Sequence, residues 1–148
     1  MTAQRTAEQC QRLALEKKLI ERYMPGFHVI NPSGNTYIEG WAYPKGGSSY
    51  MLRLDLPISY PYSKPLLFIV NPQILRMHNS NESINSLGTS HRFHTHENGP
   101  TGCVQICHSR SWNPSETCVK VLLKGHLWCE AYSAHLRTGE CIADYVSS

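Results

Sequence analysis

The chain predicts an α+β fold in which a helix, a four-stranded antiparallel meander, a long polar loop and a second helix follow in that order. Three observations carry this reading. A helix start signal opens the chain, four short strand-like segments follow, and a helix-period apolar stripe returns after Pro114. The turns between strands, such as Pro32-Ser33-Gly34-Asn35 and Pro44-Lys45-Gly46-Gly47, are too short for the crossover of roughly a dozen residues that parallel strands need. The strands must therefore run antiparallel, and the apolar face of their sheet needs a cover that the two helices can supply.

Residues 3–24 read as the first helix. Thr6 and Gln9 fit a capping box, Leu15, Leu19 and Tyr23 share a face with Ile20 and Met24 beside it, and Pro25-Gly26 stops the run. Arg5, Arg12, Lys17, Lys18 and Arg22 occupy the other face, which charge alone reads as solvated. Strands are expected over 27–31, 36–43, 50–56 and 66–70, the third alternating Leu52, Leu54 and Leu56 against Arg53 and Asp55. Residues 71–102 are polar and read as a long loop with partial helix over 73–77; loops of this length often carry function.

After Pro114, Ser115 or Thr117 can cap a helix whose stripe is Cys118, Val121, Leu122, Gly125, Trp128, Cys129 and Tyr132. Gly125 weakens that helix, so its place on the stripe predicts a close approach of another element. The tail over 134–148 is short and less periodic.

A chain of 148 residues with 41% hydrophobic content fits one domain spanning 1–148. The formal charge of +3 comes without a Lys/Arg run, so neither nucleic acid nor a membrane is an expected partner. There is no leader pattern and no apolar run approaching the roughly 18 to 20 residues of a membrane span, so a cytoplasmic location is expected. In that setting the six cysteines read as free thiols rather than a disulfide scaffold.

The densest chemistry lies between His94 and Lys124. Cys103 follows Gly102 in a loop too polar to be core and reads as a presented thiol, with His91, His94, His96 and His108 nearby in sequence. Those histidines with Cys103 and Cys107 admit a structural zinc site, although neither spacing is a familiar finger. The His94-x-His96 pair also suggests a JAMM-type metalloprotease, but Val104 and Cys107 stand where its serine and aspartate belong. A cysteine-protease dyad of Cys103 with a histidine is the third possibility.

Several motifs in order resemble the ubiquitin-conjugating enzymes. They are the basic first helix, the meander, Tyr60-Pro61-Tyr62-Ser63-Lys64-Pro65, the His-Pro-Asn-like His96-Glu97-Asn98, the Cys103 loop, Trp112-Asn113-Pro114 and the helix after it, together covering about residues 3–132. The resemblance implies a UBC-like fold with a long active-site loop, a crossing helix and a shortened C-terminal region. It implies a transferase in which Cys103 accepts a protein C-terminus as a thioester and passes it to a lysine. Asn98 is the matching assistant; Glu97 departs from the family's proline, and His94 or His96, as a histidine near Cys103, is the alternative for that role. No cofactor or metal is implied.

The compact form is similar to the bacterial ubiquitin-conjugating-like proteins of defence operons, including the CBASS antiviral type. That similarity implies as cargo a ubiquitin-like modifier or the C-terminal tail of a cGAS/DncV-like nucleotidyltransferase, with or without an activating enzyme. It makes Arg5, Arg12, Lys17 and Lys18 a candidate partner-binding face. The end Asp144-Tyr145-Val146-Ser147-Ser148 lacks a modifier's terminal glycine, so the chain reads as carrier rather than cargo. A second reading keeps the fold without catalysis, as a binding module for a partner's tail.

Overall fold

The computed structural model describes residues 4–146. Ala3, where the first helix was expected to begin, and Ser147-Ser148 lie outside them. The elements are α1 (Ala7–Tyr23), β1 (His28–Ile30), β2 (Tyr37–Ala42), β3 (Tyr50–Asp55), β4 (Leu66–Asn71), β5 (Thr95–His96), β6 (Val104–Ile106) and α2 (Cys118–Thr138). Short 3-10 turns occupy Ile84–Leu87, Pro100–Gly102 and Ile142–Asp144.

The fold is α+β, two helices on one antiparallel sheet, but the sheet has six strands in the order β1-β2-β3-β4-β6-β5 rather than four. The additional pair comes from the polar loop, whose His-rich end returns as β5 against β6, while β6 docks on β4. Two- and three-residue strands are too short to leave a readable alternation, which is why the sequence reads as loop there. Nor is there helix over 73–77; Arg76 instead bridges Ser83, and the local helical turn falls at Ile84–Leu87.

The sheet's helix-facing side is Ile38, Leu52, Leu54, Leu67, Ile69, Val104 and Ile106, all buried, as strand alternation requires. Across it lies α2, capped by Thr117, whose side chain accepts from the Lys120 amide, and burying the whole expected stripe from Cys118 to Tyr132. A Cβ on Gly125 would stand 2.9 Å from Leu67 Cδ2 and 3.1 Å from Leu52 Cδ1, so only glycine lets the helix sit this close. The helix runs on to Thr138, beyond the expected stripe, and ends on Gly139 in the left-handed conformation that favours glycine.

The capping box of Thr6 and Gln9 starts α1 as expected, but the buried stripe is Gln9, Leu13, Glu16 and Ile20. Leu15 and Tyr23 are exposed, so the expected apolar face is rotated away from the core. The cause is Glu16, a carboxyl drawn inside by partners. Both its oxygens accept from the Cys118 amide at 3.2 Å, Arg12 Nε lies at 3.3 Å, and the Tyr60 hydroxyl donates to it. A buried charge with this many donors is tolerated where an apolar stripe would otherwise be expected.

Candidate functional site

The long loop packs against α2, where the Arg76 and Phe93 carbonyls accept from Tyr132 and Trp128, and Asn85 ties it to the turn before Cys103. Its Nδ2 donates to the carbonyls of Gln73 (2.7 Å) and Gly102 (2.8 Å), while its Oδ1 accepts from the Leu75 amide (2.9 Å). Asn98 Nδ2 donates to the Asn85 carbonyl at 2.8 Å. Asn98 thus orders the turn before Cys103 at one remove, through Asn85, and its amide is directed to that carbonyl rather than to the thiol. Gly99 allows the turn to lie flat on the sheet, since a Cβ there would come within 2.3 Å of the Phe68 ring.

Cys103 is not the presented thiol expected from its polar surroundings: only 3% of the residue is exposed. The Pro100–Gly102 turn covers it, and its Sγ donates to the Pro100 carbonyl at 3.2 Å. Burial pushes this thiol above its ordinary range, partly offset by hydrogen bonds from its own backbone and Thr101. A thiol held protonated is a weak nucleophile. It borders a small cleft of about 120 Å³ with Arg53, Asp55, Phe68 and Val70.

The histidines gather elsewhere. Pairing of β5 with β6 sets Thr95 against Ile106 and His96 against Gln105, and the ladder continues as the Cys107 amide donates to the His94 carbonyl at 2.9 Å. His94 and Cys107 are therefore neighbours just beyond the end of the ladder. Both line two adjoining clefts, and His91, His96 and Arg110 line the second with them. Cys107 is half-buried at the end of β6, whereas Cys118 and Cys129 are core thiols, the latter pushed up to about 12 by burial.

Cys107, which the sequence offered only as a zinc ligand, is the second candidate thiol. Period two along β6 would have put residues 103, 105 and 107 on one face, yet the strand is three residues long and was not visible. Arg110 and Asn85 were likewise missed, because a lone arginine and one asparagine among many carry no pattern.

Burial lowers the His94, His96 and His108 pKa values below the ordinary 6.5; His91, Arg110 and His96 add to the effect at His94, and Lys64 at His96. At neutral pH these rings are uncharged and able to accept a proton. His96 Nε2 is buried without a hydrogen-bond partner, and His108 Nε2–H donates to the Pro65 carbonyl at 2.7 Å. Because the unfolded chain protonates these groups more readily, their contribution to stability is intact above the ordinary value. It is lost as pH falls through about 6.5 toward the folded-state values. Urea melts from pH 8 to pH 5 are expected to show stability declining over this range, with a shallower decline in His108→Gln.

The proposed docking residues divide. Arg5 donates to Thr36 Oγ1 (2.9 Å) and to the carbonyls of Gly34, Leu56 and Pro57. Arg12 donates to the carbonyls of Pro114 (2.6 Å) and Glu116 (2.5 Å). Both are therefore engaged inside the chain, tying α1 to the sheet and to the start of α2, while Lys17 and Lys18 point to solvent. Among the described residues, no group of three or more His, Cys, Asp or Glu side chains converges to hold a metal ion, so the zinc alternative has no support from geometry. No described helix is long and apolar enough to cross a membrane.

Compared with known proteins, the chain matches no family model, no curated protein and no solved structure.

Proposed function

We propose that the protein is a ubiquitin-conjugating-like acyl carrier, forming a cysteine thioester with the C-terminus of another protein and transferring it to a lysine amine. The observation that supports it best is a half-buried thiol, Cys107, set opposite His94 in a cleft lined by His96 and Arg110. This reading keeps the chemistry of the resemblance and moves it from Cys103 to Cys107. The motif order from Tyr60 to Trp112 spans both cysteines and does not choose between them.

In loading, Cys107 Sγ bonds to the activated carbonyl carbon and the donor's leaving group departs. In transfer, an amine nitrogen bonds to that carbon, the C–S bond breaks, and neutral His94 or His96 accepts the amine proton. Splitting one acyl transfer into two steps is what a thiol does well, because it both attacks and leaves readily. Arg110 provides positive charge near the developing oxyanion. By the same resemblance, the cargo is a modifier or the tail of a cGAS/DncV-like nucleotidyltransferase in bacterial antiviral defence.

Cys103 is the second reading, favoured because its turn is the one that Asn98 orders and its thiol borders the Arg53/Asp55 cleft. It requires the Pro100–Gly102 turn to lift. The two are separated by incubating the chain with a peptide C-terminal thioester and reading intact mass with and without reductant. In a Cys10→Ala background, because Cys10 is exposed, the expected result is a thiol-sensitive adduct on the parent chain and on Cys103→Ala, and none on Cys107→Ala. The reverse pattern moves the carrier to Cys103, and partner-tail binding without any adduct leaves the non-catalytic module.

A further inference from the structure

The cleft at Cys107 has two lobes lined by different side chains. On the α2 side, Ile106, Leu127, Trp128, Tyr145 and Val146 make a mostly apolar wall around about 240 Å³. On the loop side, Thr89, Ser90, His91, His96 and Arg110 line a second space of about 250 Å³. His94 and Cys107 belong to both, so an acyl group bonded to Cys107 begins at the divide. The apolar lobe is smaller than the roughly 300 Å³ at which small-molecule pockets begin, which suits a single side chain better than a cofactor.

Its rim carries apolar side chains that reach solvent. Leu127 is 58% exposed and Tyr145 43%, beside the buried Ile106 and Trp128, and apolar surface framed by polar groups marks a binding site. Lys124 stands at the margin, but its ammonium already donates to the His108 carbonyl at 2.9 Å and lies 4.0 Å from Glu116. Its charge is thus matched within the chain and does not call for an acidic occupant.

We infer that the α2-side lobe is a specificity subsite for a large apolar side chain at the C-terminus of the acyl donor, leaving the loop-side lobe open to the attacking amine. This rests on the acyl-carrier reading at Cys107 and names its substrate class. A terminal glycine leaves the lobe unfilled, and a terminal aspartate sets a charge against Ile106 and Trp128. Loading from a peptide thioester needs no other reactant: Cys107 Sγ bonds to the carbonyl carbon, the donor's C–S bond breaks, and the released thiol carries away the proton that Cys107 gives up.

The test uses three peptide thioesters that differ only in ending with leucine, glycine or aspartate, each loaded onto the full chain in a Cys10→Ala background because Cys10 is exposed. Intact mass gives the loading rates. The leucine peptide is expected to load about tenfold faster than the glycine peptide, equivalent to ~1.4 kcal/mol, and the aspartate peptide slowest. Leu127→Glu, a change at an exposed position, is expected to erase the leucine preference. Equal rates for all three, with loading still dependent on Cys107, overturn the subsite and leave the acyl-carrier reading standing. Loading that survives Cys107→Ala, or no loading at all, overturns both.

Discussion

Replacing Glu16 with alanine is expected to lower folding stability by about 3 to 5 kcal/mol, the range for removing one partner from a buried charge pair. The side chain of Glu16 is 1% exposed against 18% for Arg12, so the loss falls on groups that water reaches poorly. Three of them depend on this carboxyl: the Arg12 guanidinium, the Tyr60 hydroxyl and the Cys118 amide at the first turn of α2. Burial together with Cys118 and Glu16 already holds the Tyr60 hydroxyl far above its ordinary range, so it stays a donor. Glu16→Gln keeps the shape and one acceptor and is expected to lose less, about 1 to 3 kcal/mol. Thermal melts by circular dichroism check the order; at about 2 to 4 °C per kcal/mol for a chain of this size, alanine is expected to lower Tm by roughly 10 °C. Equal melting of wild type and Glu16→Ala would show that the cluster does not join α1 to α2.

Trp128→Ala is expected to have an effect of similar size, about 3 to 5 kcal/mol, and to disable the site as well. The ring is 1% exposed, stacks on Tyr132 with centroids 5.5 Å apart, and its Nε1–H donates to the Phe93 carbonyl at 2.8 Å. Phe93 immediately precedes His94, whose backbone is in the left-handed region at φ 58°, so the indole fixes the segment that aims the imidazole. Trp128→Phe separates the roles. It retains most of the packing but orphans the Phe93 carbonyl, at about 1 to 3 kcal/mol. Slower amine transfer with loading retained in Trp128→Phe would support a positioning role; unchanged transfer would leave Trp128 as core alone.

Long, periodic elements were legible in the sequence. The stripe of α2 was readable residue by residue, including the close approach at Gly125, because a buried helix face leaves a strong 3.6-residue period. The meander was readable because Leu52, Leu54 and Leu56 alternate with charges between short turns. The errors came where tertiary context overrides local pattern. Glu16 is buried by partners 44 and 102 residues away, so no window on α1 could choose the right face.

The site was only partly legible for the same reason. Polar composition around Cys103 was a fair sign of a loop but not of an exposed thiol, since a loop can close over its own cysteine when a glycine lies flat on the sheet beneath it. The histidines stood out in the sequence, yet their neighbour depended on a two-residue strand, β5, whose pairing with β6 brings His94 to Cys107.

The central claim is that the chain carries an acyl group on Cys107, and an ester trap tests it most directly. Cys107→Ser and Cys103→Ser, each incubated with the leucine-ended peptide thioester, are digested under reducing conditions and mapped by mass spectrometry. A reductant-resistant acyl mark on residue 107 of the first variant, with none on residue 103 of the second, is the predicted result. A stable mark on residue 103 alone, or none on either serine while wild type also fails to load, would contradict it.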